Sequence, residues 1–173
     1  GADASIMITA SHNPGEWNGF KLCRQQAIPI SGDTGIRDIE KIIETGAFAP
    51  PAAQPGPISE AHILPDYVRF IQSRVNLTRP IRIAVDFANA MGILEARCFD
   101  GKIEVDPLFD TLDGSFPNHE ANPLKADTLE ALQAKVRSGT YDFGVAFDGD
   151  ADRAGFVDET GAIIPMDLIT ALI

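Results

Sequence analysis

The chain has 173 residues, 45% of them hydrophobic and 23% charged, with a formal net charge of −11 and a sequence pI near 4.5. That composition fills a real core, excludes wholesale disorder, and accommodates one large domain or one and a half ordinary ones. The acidity argues against nucleic acid or an anionic membrane as partner, but a few cations and backbone amides can still hold a small anion.

Residues 5–10 form a short apolar run rich in β-formers and predict a strand. Ser11-His12-Asn13-Pro14-Gly15 follows as a loop, because Asn-Pro-Gly interrupts any regular element. Lys21-Leu22 begins a second short strand. From Asp33 to Thr45, Ile36, Ile39, Ile42 and Ile43 recur at helical spacing, and Gly46 is placed to stop the helix. Residues 49–57 hold four prolines and a glycine, the clearest linker in the chain, so a domain boundary is expected there. Ile63, Tyr67, Phe70 and Ile71 then line one face of a helix that ends before Pro80.

Ile81 to Phe87 reads as a buried strand, Asn89 to Gly92 as a turn, Ile93 to Phe99 as a helix and Ile103 to Leu108 as a strand. Asp127 starts a helix with capping-box spacing to Glu130, its inner face made by Leu129, Leu132 and Val136. Tyr141 to Phe147 predicts another strand. Ala154–Val157 and Ala162–Ile164 predict a hairpin around Glu159-Thr160-Gly161. Strands alternating with helices imply an α/β fold with mixed, mainly parallel sheets flanked by helices.

Cys23 and Cys98 lie outside any CxxC pattern, so reduced thiols are expected rather than zinc or disulfides. No apolar stretch reaches membrane-spanning length, and a cytoplasmic location is the expectation. Gly1 to Ser5 lead straight into an apolar run, and a helical pattern begun at Pro165 is still open at Ile173. The chain therefore reads as a piece of something longer.

Two loops carry chemistry. Asp148-Gly149-Asp150-Ala151-Asp152-Arg153 follows a strand directly, at the end of the strand where open α/β sheets bind ligands. Asp148, Asp150 and Asp152 would repel one another without a cation, and a hard oxygen-seeking ion such as Mg²⁺ resolves that conflict. A calcium loop would use the same spacing together with Glu159. It fails because Arg153 stands where glycine is required and a strand, not a helix, precedes the loop. The second loop offers the Ser11 hydroxyl with His12 beside it. Alone it is weak, since serine needs an activating partner. A serine loop combined with a three-carboxylate metal loop points to phosphoryl chemistry.

Thr9-Ala10-Ser11-His12-Asn13-Pro14, Asn18-Gly19-Phe20-Lys21 and Asp148 to Arg153 resemble, in order and spacing, successive signatures of the α-D-phosphohexomutase superfamily. Gly114 to Pro123 resembles the corresponding stretch of its bacterial phosphomannomutase/phosphoglucomutase branch. The resemblance implies that residues 1–57 are the later part of the first of four domains, 58–162 the second, and 163–173 the opening of the third. It implies Ser11 as the phosphoserine and Asp148, Asp150, Asp152 and a Ser11 oxygen as Mg²⁺ ligands. It further implies His12 and Lys21 in proton transfer and in steadying the phosphoserine, and Arg153 in orienting the phosphoryl group. Ala151 departs from the glycine more often found there.

The implied reaction interconverts hexose 1- and 6-phosphates of mannose or glucose through a bisphosphorylated intermediate, with hexose 1,6-bisphosphate as activator. Phosphoglucosamine mutase and a non-catalytic Mg²⁺- or sugar-phosphate-binding relative are the alternatives. The chain alone is expected to have little activity. An incomplete first domain would expose sheet edges and apolar faces, so association or swapping is expected of it.

Overall fold

A computed structural model describes residues 2–99 and 101–173. The chain divides into two compact units, the first made of the residues up to Thr9 together with Gly19–His62, the second of Ala10–Asn18 and Ile63–Ile173.

The first unit is a three-stranded antiparallel sheet with one helix. Strand β1 (Ala4–Ile8) pairs with β2 (Phe20–Arg24), Ile6 opposite Leu22 and Met7 opposite Lys21, and β2 pairs with β3 (Ile28–Pro29). Helix α1 (Ile36–Thr45) starts three residues later than its apolar spacing predicts. Gly32–Thr34 forms a 3-10 turn closed by reciprocal Ser31 and Thr34 hydrogen bonds, and Gly35, at φ 147°, breaks the path into the helix. Gly46 ends it in the left-handed conformation, as its position predicts. None of the described residues of this unit is buried, and Ile6, Met7, Ile8 and Phe20 are 60% to 73% exposed.

The second unit holds the core. Five strands lie in the order β5-β4-β6-β7-β8: β4 (Ile81–Asp86), β5 (Ile103–Leu108), β6 (Phe143–Phe147), β7 (Ala154–Val157) and β8 (Ile163–Ile164). The sheet is mixed and flanked by helices, as the alternation predicts. Parallel pairing is concentrated in β5-β4-β6, and β7 and β8 add antiparallel strands through the predicted hairpin. In that turn the Asp158 carboxylate accepts the amides of Thr160 and Ala162, and Gly161 takes φ 78°.

Strand alternation sends β4 residues to two different cores. Ala84, with Ala146 and Val157, packs beneath Leu129, Leu132 and Val136. Ile83, Val85 and Phe87 pack on the other face with Ile93, Phe143 and Phe147. Helix α3 (Glu130–Ser138) lies so close to the sheet that a Cβ on Gly144 would come within 2.9 Å of Leu132 and Val136. The capping box expected at Asp127 is absent. Asp127 accepts the neighbouring Thr128 amide, Ala126–Leu129 makes a 3-10 turn, and α3 opens at Glu130 without a side-chain cap.

Helix α2 (Leu64–Gln72) is shorter than expected, with Ser73 hydrogen-bonding back to the Phe70 carbonyl at its end. The segment expected as a helix after β4 is a 3-10 stretch, Met91–Cys98. Gly92 sits against the Phe147 ring at its start, leaving no room for a side chain there. Helix α4 (Met166–Leu172) closes the described chain.

Candidate active site

The parallel strands β4, β5 and β6 end on one edge of the sheet, and the polar side chains gather there. Strand β6 delivers Asp148, which is fully buried. The backbone then curls so that the Asp148 amide donates to the Arg153 carbonyl at 3.1 Å and the Ala151 amide to the Asp148 carbonyl at 3.1 Å. Ala151 sits at φ 58°, a left-handed conformation that glycine adopts without strain. Among the described residues, ligand oxygens of Asp148, Asp150 and Asp152 lie within 4.8 Å of one another.

The serine loop belongs to the same unit. Ser11 is itself left-handed, at φ 55°, a sparsely populated conformation for a non-glycine residue and one that clusters at functional sites. Its Oγ lies 3.2 Å from Asp148 Oδ2 and 3.1 Å from Asp150 Oδ1, to either of which the hydroxyl can donate. Gly149 passes so near the Ser11 carbonyl oxygen that any Cβ at 149 would collide with it. That proximity gives the glycine between the two carboxylates its physical reason.

Arg153 ties the two loops together. Its Nε donates to Asp148 Oδ2 at 2.9 Å, its amide to Asp148 Oδ1 at 3.1 Å, and an Nη to Ser11 Oγ at 2.8 Å. The same guanidinium meets His12 Nδ1, which lies 3.3 Å from Ser11 Oγ. A hydroxyl is therefore surrounded by two carboxylates, one guanidinium and one imidazole. All the candidate metal donors are hard oxygens, and three carboxylates with one arginine leave net negative charge, so the set fits a small hard dication. Of the residues predicted from sequence, Ser11, His12, Asp148, Asp150, Asp152 and Arg153 come together in this unit. Lys21 belongs to the first unit, exposed on β2 opposite Met7.

A second polar cluster on this edge was not anticipated. The buried Asp86 at the end of β4 accepts from His119 Nε2 at 3.0 Å and from the Ala88 amide at 2.9 Å. His119 Nδ1 faces the Glu120 carbonyl at 2.8 Å. The hydrogen bond to Asp86 and the one to the Glu120 carbonyl raise the His119 pKa despite its partial burial. Asn89 bridges the neighbouring loops, donating to the Thr111 carbonyl and accepting from Asn118 at 2.7 Å. In sequence His119 was visible only as part of the Gly114 to Pro123 stretch, and nothing there pairs it with an aspartate 33 positions away.

This α/β unit thus presents a serine to a carboxylate loop at its strand ends, where open α/β sheets bind ligands. Residues 65–161 match the sequence model for phosphoglucomutase/phosphomannomutase, alpha/beta/alpha domain II, and residues 1–50 match the one for domain I. The chain belongs to the phosphoglucomutase/phosphomannomutase family, as the resemblance implies. It is 38% identical to a phosphoglucomutase of Neisseria meningitidis serogroup B over 95% of this chain and 35% of that protein. It is 36% identical to a phosphomannomutase of Escherichia coli over 100% of this chain and 40% of that one. A crystal structure of a phosphoglucomutase/phosphomannomutase family protein from Burkholderia thailandensis superposes with a TM-score of 0.86 at 35% identity, covering 95% of this chain and 35% of the other. The chain thus spans 35% to 40% of these relatives.

Proposed function

We propose that the chain is the phosphoryl-carrying part of a mutase that interconverts hexose 1-phosphate and hexose 6-phosphate, with mannose or glucose as the sugar. The observation that carries this reading is the Ser11 hydroxyl held within hydrogen-bond distance of Asp148, Asp150 and Arg153 at once. Residues 1–57 are assigned as the later part of the first family domain, 58–162 as the second domain, and 163–173 as the opening of a third. The relatives' names, phosphoglucomutase and phosphomannomutase, support both sugars.

In this reading Ser11 carries the phosphoryl group. The Ser11 Oγ–P bond breaks, a sugar oxygen–P bond forms, and the sugar hydroxyl proton passes to His12 or Lys21 as general base. Reversal at the other sugar oxygen returns a phosphoryl group to Ser11, and a hexose 1,6-bisphosphate re-primes any dephosphorylated serine. Arg153 directs N–H donors at the reacting oxygens while holding Asp148 in place. Asp148, Asp150 and Asp152 would hold Mg²⁺ together with a Ser11 oxygen, and the ion would supply charge neutralisation at the transferred group. The site needs closure against water, so the isolated chain has little turnover. A sugar phosphate is the partner, the cytoplasm the expected location, and no helix is long and apolar enough to cross a membrane among the described residues. The exposed apolar face of the first unit favours self-association, which light scattering would detect as species heavier than 18.6 kDa.

The test is a coupled mutase assay on a polypeptide joining this chain to the remaining portion its relatives carry. Mannose, glucose and glucosamine 1-phosphates are supplied with Mg²⁺ and a hexose bisphosphate, and Ser11→Ala is run alongside. Serine-dependent turnover is expected. Absence of turnover on all three sugars, with phosphoserine and Mg²⁺ present, overturns the reading in favour of a binding role.

A further inference from the structure

His119 lies between two acceptors. The Glu120 carbonyl oxygen can only accept, so Nδ1 carries a proton and donates to it, and the Asp86 carboxylate accepts a hydrogen bond from Nε2. Both nitrogens are donors only in the imidazolium. The pair is sheltered, with Asp86 fully buried and the His119 side chain 16% exposed. The groups facing it are Asp86 from β4, the Glu120 backbone, the Phe109 ring at 5.3 Å from beyond β5, and the field of Asp127 ahead of α3.

The segment anchored by this pair leads to the serine loop. Asp113 donates its amide to the Asn89 carbonyl at 2.9 Å, and Phe116 packs on Ala88, Ala90 and Ala121. The Gly114 carbonyl between them abuts Gly15, where a Cβ would meet it. On the other flank, the Met91 amide donates to the Gly149 carbonyl at 3.2 Å, and Gly149 abuts Ser11. The loop of Ser11 to Gly15 is thus walled by Gly149 on one flank and Gly114 on the other.

We propose that His119 is a positioning residue for the serine loop, its imidazolium latching the 113–120 segment to Asp86 so that Gly114 backs the loop carrying Ser11. The proposal gives the pair a role only if Ser11 is the phosphoryl carrier described above, but its geometry can be tested without turnover. In the ¹⁵N-labelled chain, imidazole spectra should show His119 protonated at both nitrogens and titrating above the ordinary histidine value of about 6.5.

As that titration proceeds, protection of the Asn13 and Trp17 amides, corrected for intrinsic exchange, should fall about tenfold, while the Ala162 hairpin amide stays unchanged. His119→Ala should reproduce the loss at neutral pH, and His119→Gln, which keeps one donor, should recover part of it. If His119→Ala does not fold, the wild-type titration alone decides. A serine loop indifferent to the titration, loosening confined to 113–120, or an even loosening of the whole unit would each overturn the latch. Loss of serine-dependent turnover as the reason for abandoning the mutase reading would leave these spectra untouched, so the two failures are distinguishable.

Discussion

An Arg153 Nη lies 2.8 Å from Ser11 Oγ while the same guanidinium grips the buried Asp148 through Nε. One side chain therefore joins residues 137 positions apart and gives a buried carboxylate its cation. Arg153→Met strands that charge. Unfolding in denaturant without divalent cation should show a loss of about 3 kcal/mol, the order expected when half of a buried pair is removed. A smaller loss in Mg²⁺ is expected, because a bound dication also neutralises Asp148, and an identical loss in both conditions would contradict the proposed metal site.

The carboxylate triad gives a direct metal prediction. Added Mg²⁺ should raise the melting temperature of the chain, since a ligand bound only by the folded state stabilises it, by about 2.7 kcal/mol at 100 times Kd. Asp150→Asn removes one charged donor from the group of three and should weaken Mg²⁺ binding about tenfold or more in calorimetric titration. An unchanged affinity would remove Asp150 from the ligand set.

Two glycines separate site effects from core effects. Gly144→Ala drives a methyl into Leu132, Val136 and Val157 beneath α3 and should cost about 1–3 kcal/mol without altering Mg²⁺ affinity. Gly149→Ala pushes against the Ser11 carbonyl instead. It should weaken Mg²⁺ binding even where its effect on denaturation is small. Equal effects of the two substitutions on metal affinity would dissolve the distinction.

Ala151 holds a left-handed conformation in which an alanine costs roughly 1 kcal/mol more than a glycine. Ala151→Gly should accordingly leave stability level or raise it by up to about 1 kcal/mol, the relief of strain exceeding the added freedom of the unfolded chain. Chemical denaturation of the two proteins side by side measures this.

Acid sensitivity should centre on Asp106. A hydrogen bond from Lys135, then one from Tyr141, holds its carboxyl below the usual carboxylate range. A depressed folded-state pKa contributes stability above the ordinary value of about 3.9 and loses it as pH falls through the depressed one. The His119 contribution has the opposite sign, present in acid and lost as pH rises through its raised value. Denaturation midpoints against pH should therefore decline on both sides, and Asp106→Asn should flatten the acid limb alone.

The carboxylate loop was legible because its three charges sit at alternate positions after an apolar run, a pattern whose mutual repulsion a cation would relieve. The β4, β5 and β6 strands were legible from length and apolar content. Helix ends were not. Gly35 at φ 147° and the 3-10 turns before α3 and after β4 depend on backbone angles and close packing that spacing does not encode. The pairing of Asp86 with His119 was equally hidden, because only the parallel ordering of β4 and β5 brings those segments to one edge. The backing of the serine loop by Gly114 is likewise a tertiary contact with no local signature.

The first unit has strands, a capped helix and isoleucines at helical spacing, yet none of its described residues is buried. The heat capacity released on unfolding scales with apolar surface newly wetted, and this unit has little left to wet. In a scanning calorimeter the chain should therefore behave as though it were shorter than it is, with the enthalpy and heat-capacity step of the second unit alone and the first contributing a slope in the baseline.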